Sequence, residues 1–336
     1  MVIQNSVKLI ATLGPSSLKS SIIKKLKKDI DLFRLNMSHL SISSLKKNLK
    51  FLKKNKITNV CIDTEGAQIR TAYVKKKFLD KGLNYNISTN KLRIKNLIKL
   101  YPKFNISDIK KNTKIKIGFE GLELSVLSNK INYLICKVTK GGTLESNKGV
   151  HIQQKISLNP LTEKDLDAIK IAKKFNIFHF ALSFANCRKD VDYLRSLISK
   201  RSIVISKIES KTGFLNRREI IKSSNSVLID RGDLSRYIDI SKIPLAQRII
   251  VKDAKKLRKK VYIATNLLET MVKSSDPTRA ESNDIFSSLE TGCSGLVLAA
   301  ETAIGNYPAE CVNFLKECLK IYNQRKRFTK DNNLFF

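Results

Sequence analysis

Eight short runs rich in β-branched and apolar residues recur along the chain: KLIATLG (8–14), LFRLN (32–36), NVCIDT (59–64), IFHFALSF (177–184), SIVISKIE (202–209), SVLID (226–230), VYIATN (261–266) and GLVLAAE (295–301). Stretches of helical character separate several of them. SLKSSIIKKLKK and TEKDLDAIKIAKKF read as amphipathic helices, the second with Thr162 as an N-cap and with Ile169 and Ala172 near helical spacing from Leu166. Strand and helix alternating eight times predict a parallel (β/α)8 barrel of the α/β class, a TIM barrel, whose usual size is roughly 250 residues. The chain has 336 residues, so it has room for an insertion.

That insertion falls between the third strand and the third helix. From about Thr71 to Lys148 the text changes to NYNIST, KLRIKNL, TKIKIGFEGLELSVL and INYLICKV, with turn residues between the runs and little helical periodicity. A small β domain is expected at 71–148, with barrel segments at 1–70 and 149–325 and a fraying tail at 326–336.

Composition narrows the function classes. The opening MVIQNSVKLIATLG lacks a cationic start followed by a long apolar run, and no apolar run reaches the roughly 18 residues of a membrane span. An untargeted, cytoplasmic protein without a membrane partner is expected. Six cysteines show no CxxC pair, and the three histidines are not spaced with them, so neither a disulfide framework nor structural zinc is expected. Lys and Arg number 64 against 29 Asp and Glu, a net charge of +35, which raises nucleic acid as a partner. The basic clusters are spread along the chain on expected helix surfaces and loops, however. Lys, Asn and Ile are abundant together, as an A+T-rich coding sequence would produce, so nucleic acid is not the expected partner.

The C-terminal ends of parallel barrel strands supply reactive side chains. Here those ends carry Gly14-Pro15-Ser16-Ser17, Arg34 and Asn36, Asp63 and Thr64, Ser183, Lys207 and Glu209, Asp233, Thr265 and Glu301. Each has an ordinary explanation taken singly: a solvated strand end, a helix cap at Asp233, a turn at Asp63-Thr64, a surface ion pair at Arg34. Their joint occurrence at successive strand ends is what argues for a site.

The blocks ATLGPSS, RLNMSHL, CIDTEGAQIRT, NPLTEKDLDAI, ALSFA, ISKIES, DRGDLS, IPLAQRII, ATNLLETM, DPTRAE and AAETAIGNYP each resemble a block of the pyruvate kinase family, in that family's order. The resemblance runs through about residue 322 and is weakest in the insertion. The family's C-terminal regulatory domain is expected to be absent. The resemblance implies phosphoryl transfer between phosphoenolpyruvate and ADP, giving pyruvate and ATP, with Mg²⁺ or Mn²⁺ as cofactor and a homo-oligomer formed through barrel contacts.

Residues two apart on a strand share a face, so Lys207 and Glu209 point the same way. Glu209 with Asp233 suits a hard divalent cation. Lys207 would then neutralise the phosphoryl group in flight, Arg34 and Arg70 would clamp phosphate, and Thr265 would serve proton delivery. Asn36, Ser38, Asp63 and Thr64 match the family's K⁺ positions; Thr12, Pro15 and His39 match its nucleotide contacts.

The chain also departs from the pattern. Gln68 stands where K⁺-requiring members have Glu, with Glu65 and Ala67 for Lys and Pro, so dependence on K⁺ stays open. Ala299-Ala300 replace Ser-Gly, Asn186 replaces an arginine, Ser235 a glycine, and Glu120 alone remains of an acidic pair. Three readings follow: a pyruvate kinase-type phosphotransferase, a catalytically weak barrel that binds a phosphorylated ligand or a partner, and a basic RNA-associated protein.

Overall fold

Each of the eight runs forms one strand of a closed parallel barrel: β1 (Lys8–Thr12), β2 (Leu32–Asn36), β3 (Val60–Asp63), β4 (His179–Leu182), β5 (Ile203–Ile208), β6 (Ser226–Asp230), β7 (Lys260–Ala264) and β8 (Gly295–Leu298). The computed structural model describes residues 7–118, 121–154 and 156–328. Neighbours around the ring follow chain order, and β8 closes onto β1 in the register Lys8↔Gly295 to Ala11↔Leu298. Helices cover the outside and side chains fill the inside, so strands read as continuous apolar runs; β3, β6 and β8 are buried at every position. Ile10, Cys61, Ala181, Ile205, Leu228 and Val297, each from a different strand, meet in one buried cluster.

The helices form for local reasons. Ile42–Lys54 buries Leu45, Leu49 and Leu52 on one stripe, accepts the Ser44 N–H on the hydroxyl of its N-cap Ser41, and ends on Lys53 and Lys54. Arg279–Thr291 opens with a capping box of Thr278 and Glu281 and stops at Gly292, whose φ of 84° suits a residue without a Cβ.

The chain divides into two units, Met1–Gly66 with Glu163–Phe336, and Ala67–Thr162. The second unit leaves the barrel after β3 and ends before the helix Glu163–Lys174. It starts earlier and ends later than the 71–148 stretch of changed sequence character, because Arg70–Thr71 and Val150–Ile152 pair with strands of the insertion itself. Among its described residues are a seven-stranded and a two-stranded sheet. Alternating strands such as Lys114–Ile117, Leu122–Lys130 and Tyr133–Lys140 turn Ile115, Leu124, Leu134 and Val138 into a core that also holds Leu79, Ile87 and Ile98.

The last helix runs Pro308–Phe328, three residues into the tail expected to fray, and 329–336 lie outside the described residues. Glu120 and its neighbour Phe119 lie outside them too. All six cysteines are free thiols, five of them buried. No helix among the described residues is long and apolar enough to cross a membrane.

Candidate active site

Barrel register brings residues distant in sequence level with one another. Asn36 pairs across β2 and β3 with Asp63, Ala181 of β4 is also opposite Asp63, and Lys207 of β5 is opposite Leu228 of β6. Lys207 is 4% exposed, and its Nζ donates to Ser183 Oγ at 3.0 Å. Three carboxylates surround that ammonium: Glu209 Oε2 at 3.2 Å, Asp63 Oδ2 at 3.6 Å and Asp230 Oδ2 at 3.7 Å. Burial opposes its charge, but the three carboxylates outweigh burial and hold Lys207 above the ordinary lysine range.

Arg34, 4% exposed, donates from Nε to Asp63 Oδ2 at 2.9 Å. Burial works against this guanidinium as well, and Asp63 and Asp230 raise it again. Arg34 Nη1 is buried and makes no hydrogen bond. A buried donor without an acceptor is costly, so an acceptor such as a phosphate oxygen suits this position.

Glu209, Asp230 and Asp233 each place a carboxylate oxygen within 4.8 Å of the others. Asp230 was missed in the sequence because it ends SVLID and reads as the last strand residue. It is also the N-cap of the turn Arg231–Leu234, accepting from Asp233 N, so the cap is Asp230 rather than Asp233, whose Oδ1 lies 3.3 Å from Arg236 Nη2. Glu209 Oε1 accepts from Phe184 N at 2.7 Å, while the buried Oε2 faces the Lys207 ammonium at 3.2 Å. Burial pushes the Glu209 carboxyl up to about 8; Lys207 opposes the shift, and Asp233 and Asp230 add to it. Three carboxylates gathered this closely, two of them buried, fit a hard divalent cation.

Thr265 follows β7 with φ 69°, in the left-handed region that a β-branched residue rarely enters. Gly232 N donates to its Oγ1 at 2.9 Å, and that hydroxyl lies 3.4 Å from Asp230 Oδ1. Phe184 after β4 and Asn266 after β7 share the left-handed conformation, at φ 51° and 55°. Three residues in this conformation thus follow the C-terminal ends of two barrel strands, the end at which the polar groups meet.

The remaining expected residues fall in different places. Asn36 Oδ1 accepts from Ser38 N at 2.9 Å, and Thr64 Oγ1 accepts from Ser183 N at 2.9 Å. Asp63 already faces two protein cations, Arg34 and Lys207. Thr12 is buried and donates to Leu298 O at 2.8 Å, which commits its hydroxyl to the β1–β8 seam. Pro15 and His39 are exposed in the same unit. Arg70 and Gln68 belong to the second unit; the Arg70 backbone pairs there with Tyr101.

Two supports went unseen in the sequence. Asp165 is fully buried and takes the N–H groups of Glu65 and Gly66 on its two oxygens, at 2.7 and 3.1 Å. Glu65, read only as a departure, pairs with Lys164 at 2.8 Å. Gly66 has φ 73°, and a Cβ there would lie 2.7 Å from that of Ser183, so only glycine lets the turn pass. Other departures fit locally: Ser235 sits at φ −64° and returns its hydroxyl to Gly232 O at 2.7 Å, and Asn186 Oδ1 accepts from Ser210 Oγ at 2.6 Å. At Ala299 the backbone N–H donates to Glu301 Oε2 at 2.6 Å, and the other oxygen of Glu301 takes Leu268 N at 3.2 Å.

A family model described as "Pyruvate kinase, barrel domain" matches residues 4–312. Among curated relatives, a protein named "Pyruvate kinase" from Thermotoga maritima is 31% identical over 96% of this chain and 72% of its own length. One of the same name from Methanocaldococcus jannaschii is 35% identical over 94% of this chain and 69% of its own. A third, from Borreliella burgdorferi, is 30% identical over 98% and 70%.

Proposed function

The chain belongs to the pyruvate kinase family, and from that premise we propose that its barrel mouth moves the phosphoryl group of phosphoenolpyruvate to ADP, releasing pyruvate and ATP. The observation that carries this reading is the ammonium of Lys207, buried among Ser183, Asp63, Glu209 and Asp230 at 3.0 to 3.7 Å. A fixed cation held by that many partners is positioned before substrate arrives, as electrostatic stabilisation of a transferring phosphoryl group requires.

The residues divide the work. Lys207 faces the equatorial oxygens of the phosphoryl group while the bond from phosphorus to the enol oxygen breaks and one to the ADP oxygen forms. Arg34 turns its unsatisfied Nη1 to phosphate. Asp63 holds both cations in place. Thr265 Oγ1 relays a proton from solvent water to the methylene carbon of the enolate, which becomes the methyl group of pyruvate, and water is left as hydroxide. Glu209, Asp230 and Asp233 would hold Mg²⁺ or Mn²⁺, which when bound offsets the negative charge of phosphate and enolate oxygens. Asn36, Ser38, Asp63 and Thr64 would offer oxygen ligands to K⁺. Pro15 and His39 are assigned to the nucleotide, and Ala299 leaves proton delivery without the help of a serine hydroxyl.

The test is pyruvate formation in a coupled assay with Mg²⁺, Mn²⁺ or chelator, each with K⁺ and with tetramethylammonium. Turnover that needs the divalent ion is expected. Absence of turnover under all conditions, with phosphoenolpyruvate still bound, would favour the binding-barrel reading, and the K⁺ arm decides the monovalent assignment. Arg34→Lys should raise KM for phosphoenolpyruvate about tenfold or more, because lysine keeps the charge but cannot span Asp63 and a phosphate oxygen with one planar fork. An unchanged KM would remove Arg34 from the phosphate clamp.

A further inference from the structure

We propose that Arg231, the arginine of the R-G-D tripeptide, is a positioning residue that holds Thr265 in its left-handed conformation and so aims the Thr265 hydroxyl. This rests on the reading of Thr265 as the proton relay. Arg231 is 8% exposed and starts the turn directly after the carboxylate of Asp230. Its Nε donates to Thr265 O at 3.1 Å, and its Nη2 donates to the same carbonyl oxygen. Its Nη1 meets both oxygens of Asp284, at 2.9 and 2.7 Å. Asp284 stands on the helix Arg279–Thr291, whose start is locked by a capping box.

Thr265 is thus held at both its carbonyl and its hydroxyl. Arg231 donates to the carbonyl oxygen, and Gly232 N, the next residue along, donates at 2.9 Å to the hydroxyl oxygen, which itself donates to Ala264 O at 2.5 Å. With φ 69° the residue would leave this conformation if released, since a β-branched side chain is disfavoured there. Rotation of that peptide would carry Oγ1 away from Gly232 N. A planar guanidinium suits the task because one edge grips the carbonyl while the other meets the carboxylate. Lysine offers a single point of charge and cannot do both.

The measurement separates proton delivery from phosphoryl transfer. Exchange of the pyruvate methyl protons with D₂O, followed by NMR with Mg²⁺ and ATP present, reports removal and return of a proton at that carbon. ADP phosphorylation by phosphoenolpyruvate reports the other half. Arg231→Lys is expected to slow exchange about 10²-fold, the scale of an ångström-sized misplacement, and to slow phosphorylation much less. Asp284→Ala, which frees the outer edge of Arg231, should slow exchange in the same direction. The double variant should be no worse than Arg231→Lys alone, since the two residues act as one unit. Asp284→Ala also keeps the inference testable if Arg231→Lys folds poorly.

Thr265→Val is measured alongside. A parent-like exchange rate in Thr265→Val overturns the relay reading and the inference with it. Slowed exchange in Thr265→Val beside parent-like exchange in Arg231→Lys and Asp284→Ala overturns the inference alone. An equal fall of exchange and phosphorylation in those two variants also overturns it, as that marks general damage to the fold.

Discussion

Lys207→Met is expected to lower phosphoryl transfer by about 10³- to 10⁵-fold, the worth of a cation supplied directly to a transferring phosphoryl group. The side chain keeps its length and loses its charge where Asp63, Glu209 and Asp230 all lie within 3.7 Å. Those carboxylates lose a shared counter-ion as well, and breaking a buried ion cluster by removing one partner commonly costs about 3–5 kcal/mol of stability. Both quantities need measuring: single-turnover formation of ATP, and the thermal transition of the same preparation. A folded variant with near-parental transfer would remove Lys207 from the chemistry and leave it a structural counter-ion.

Glu209→Gln and Asp230→Asn are each expected to abolish Mg²⁺-dependent turnover while the fold survives. Both substitutions keep a carbonyl oxygen for the contacts already made, Phe184 N at 2.7 Å for Glu209 and Asp233 N at 3.3 Å for Asp230. A ligand that binds only the folded state stabilises it by about 2.7 kcal/mol at a hundred times its Kd. The parent should therefore melt higher with added Mn²⁺, and the variants should lose most of that gain. Without divalent ion, each substitution relieves repulsion among neighbouring carboxylates but also takes a counter-ion from Lys207, so the melting temperature should move less than in Lys207→Met. A variant that keeps the full Mn²⁺-dependent gain would show the ion to be held elsewhere.

These two expectations differ in how early they could be framed. Lys207 and Glu209 were readable from ISKIE itself, because the strand period of two puts them on one side whatever the strand packs against. Asp230 was not, since the last residue of SVLID has the same local appearance whether it caps a turn, faces solvent or holds an ion. Arg231 stood out only as a letter of the DRGDLS block, and Glu65 as a plain departure from a pattern, until Asp284 and Lys164 were found beside them.

By itself the sequence determined the barrel, its eight strands, the excursion after the third and the strand ends that carry polar groups. All of these depend on local periodicity and on the order of elements, which a single chain displays directly. Tertiary structure alone decided which of those polar groups touch. Arg34 meets Asp63 29 residues away, Lys207 meets Ser183 24 away, and Thr12 spends its hydroxyl on Leu298 286 away. Such meetings are set by the register in which neighbouring strands pair and by closure of the ring, where β8 returns to β1. The strain at Thr265 belongs to the same class, because its left-handed backbone persists only where surrounding groups over-determine it.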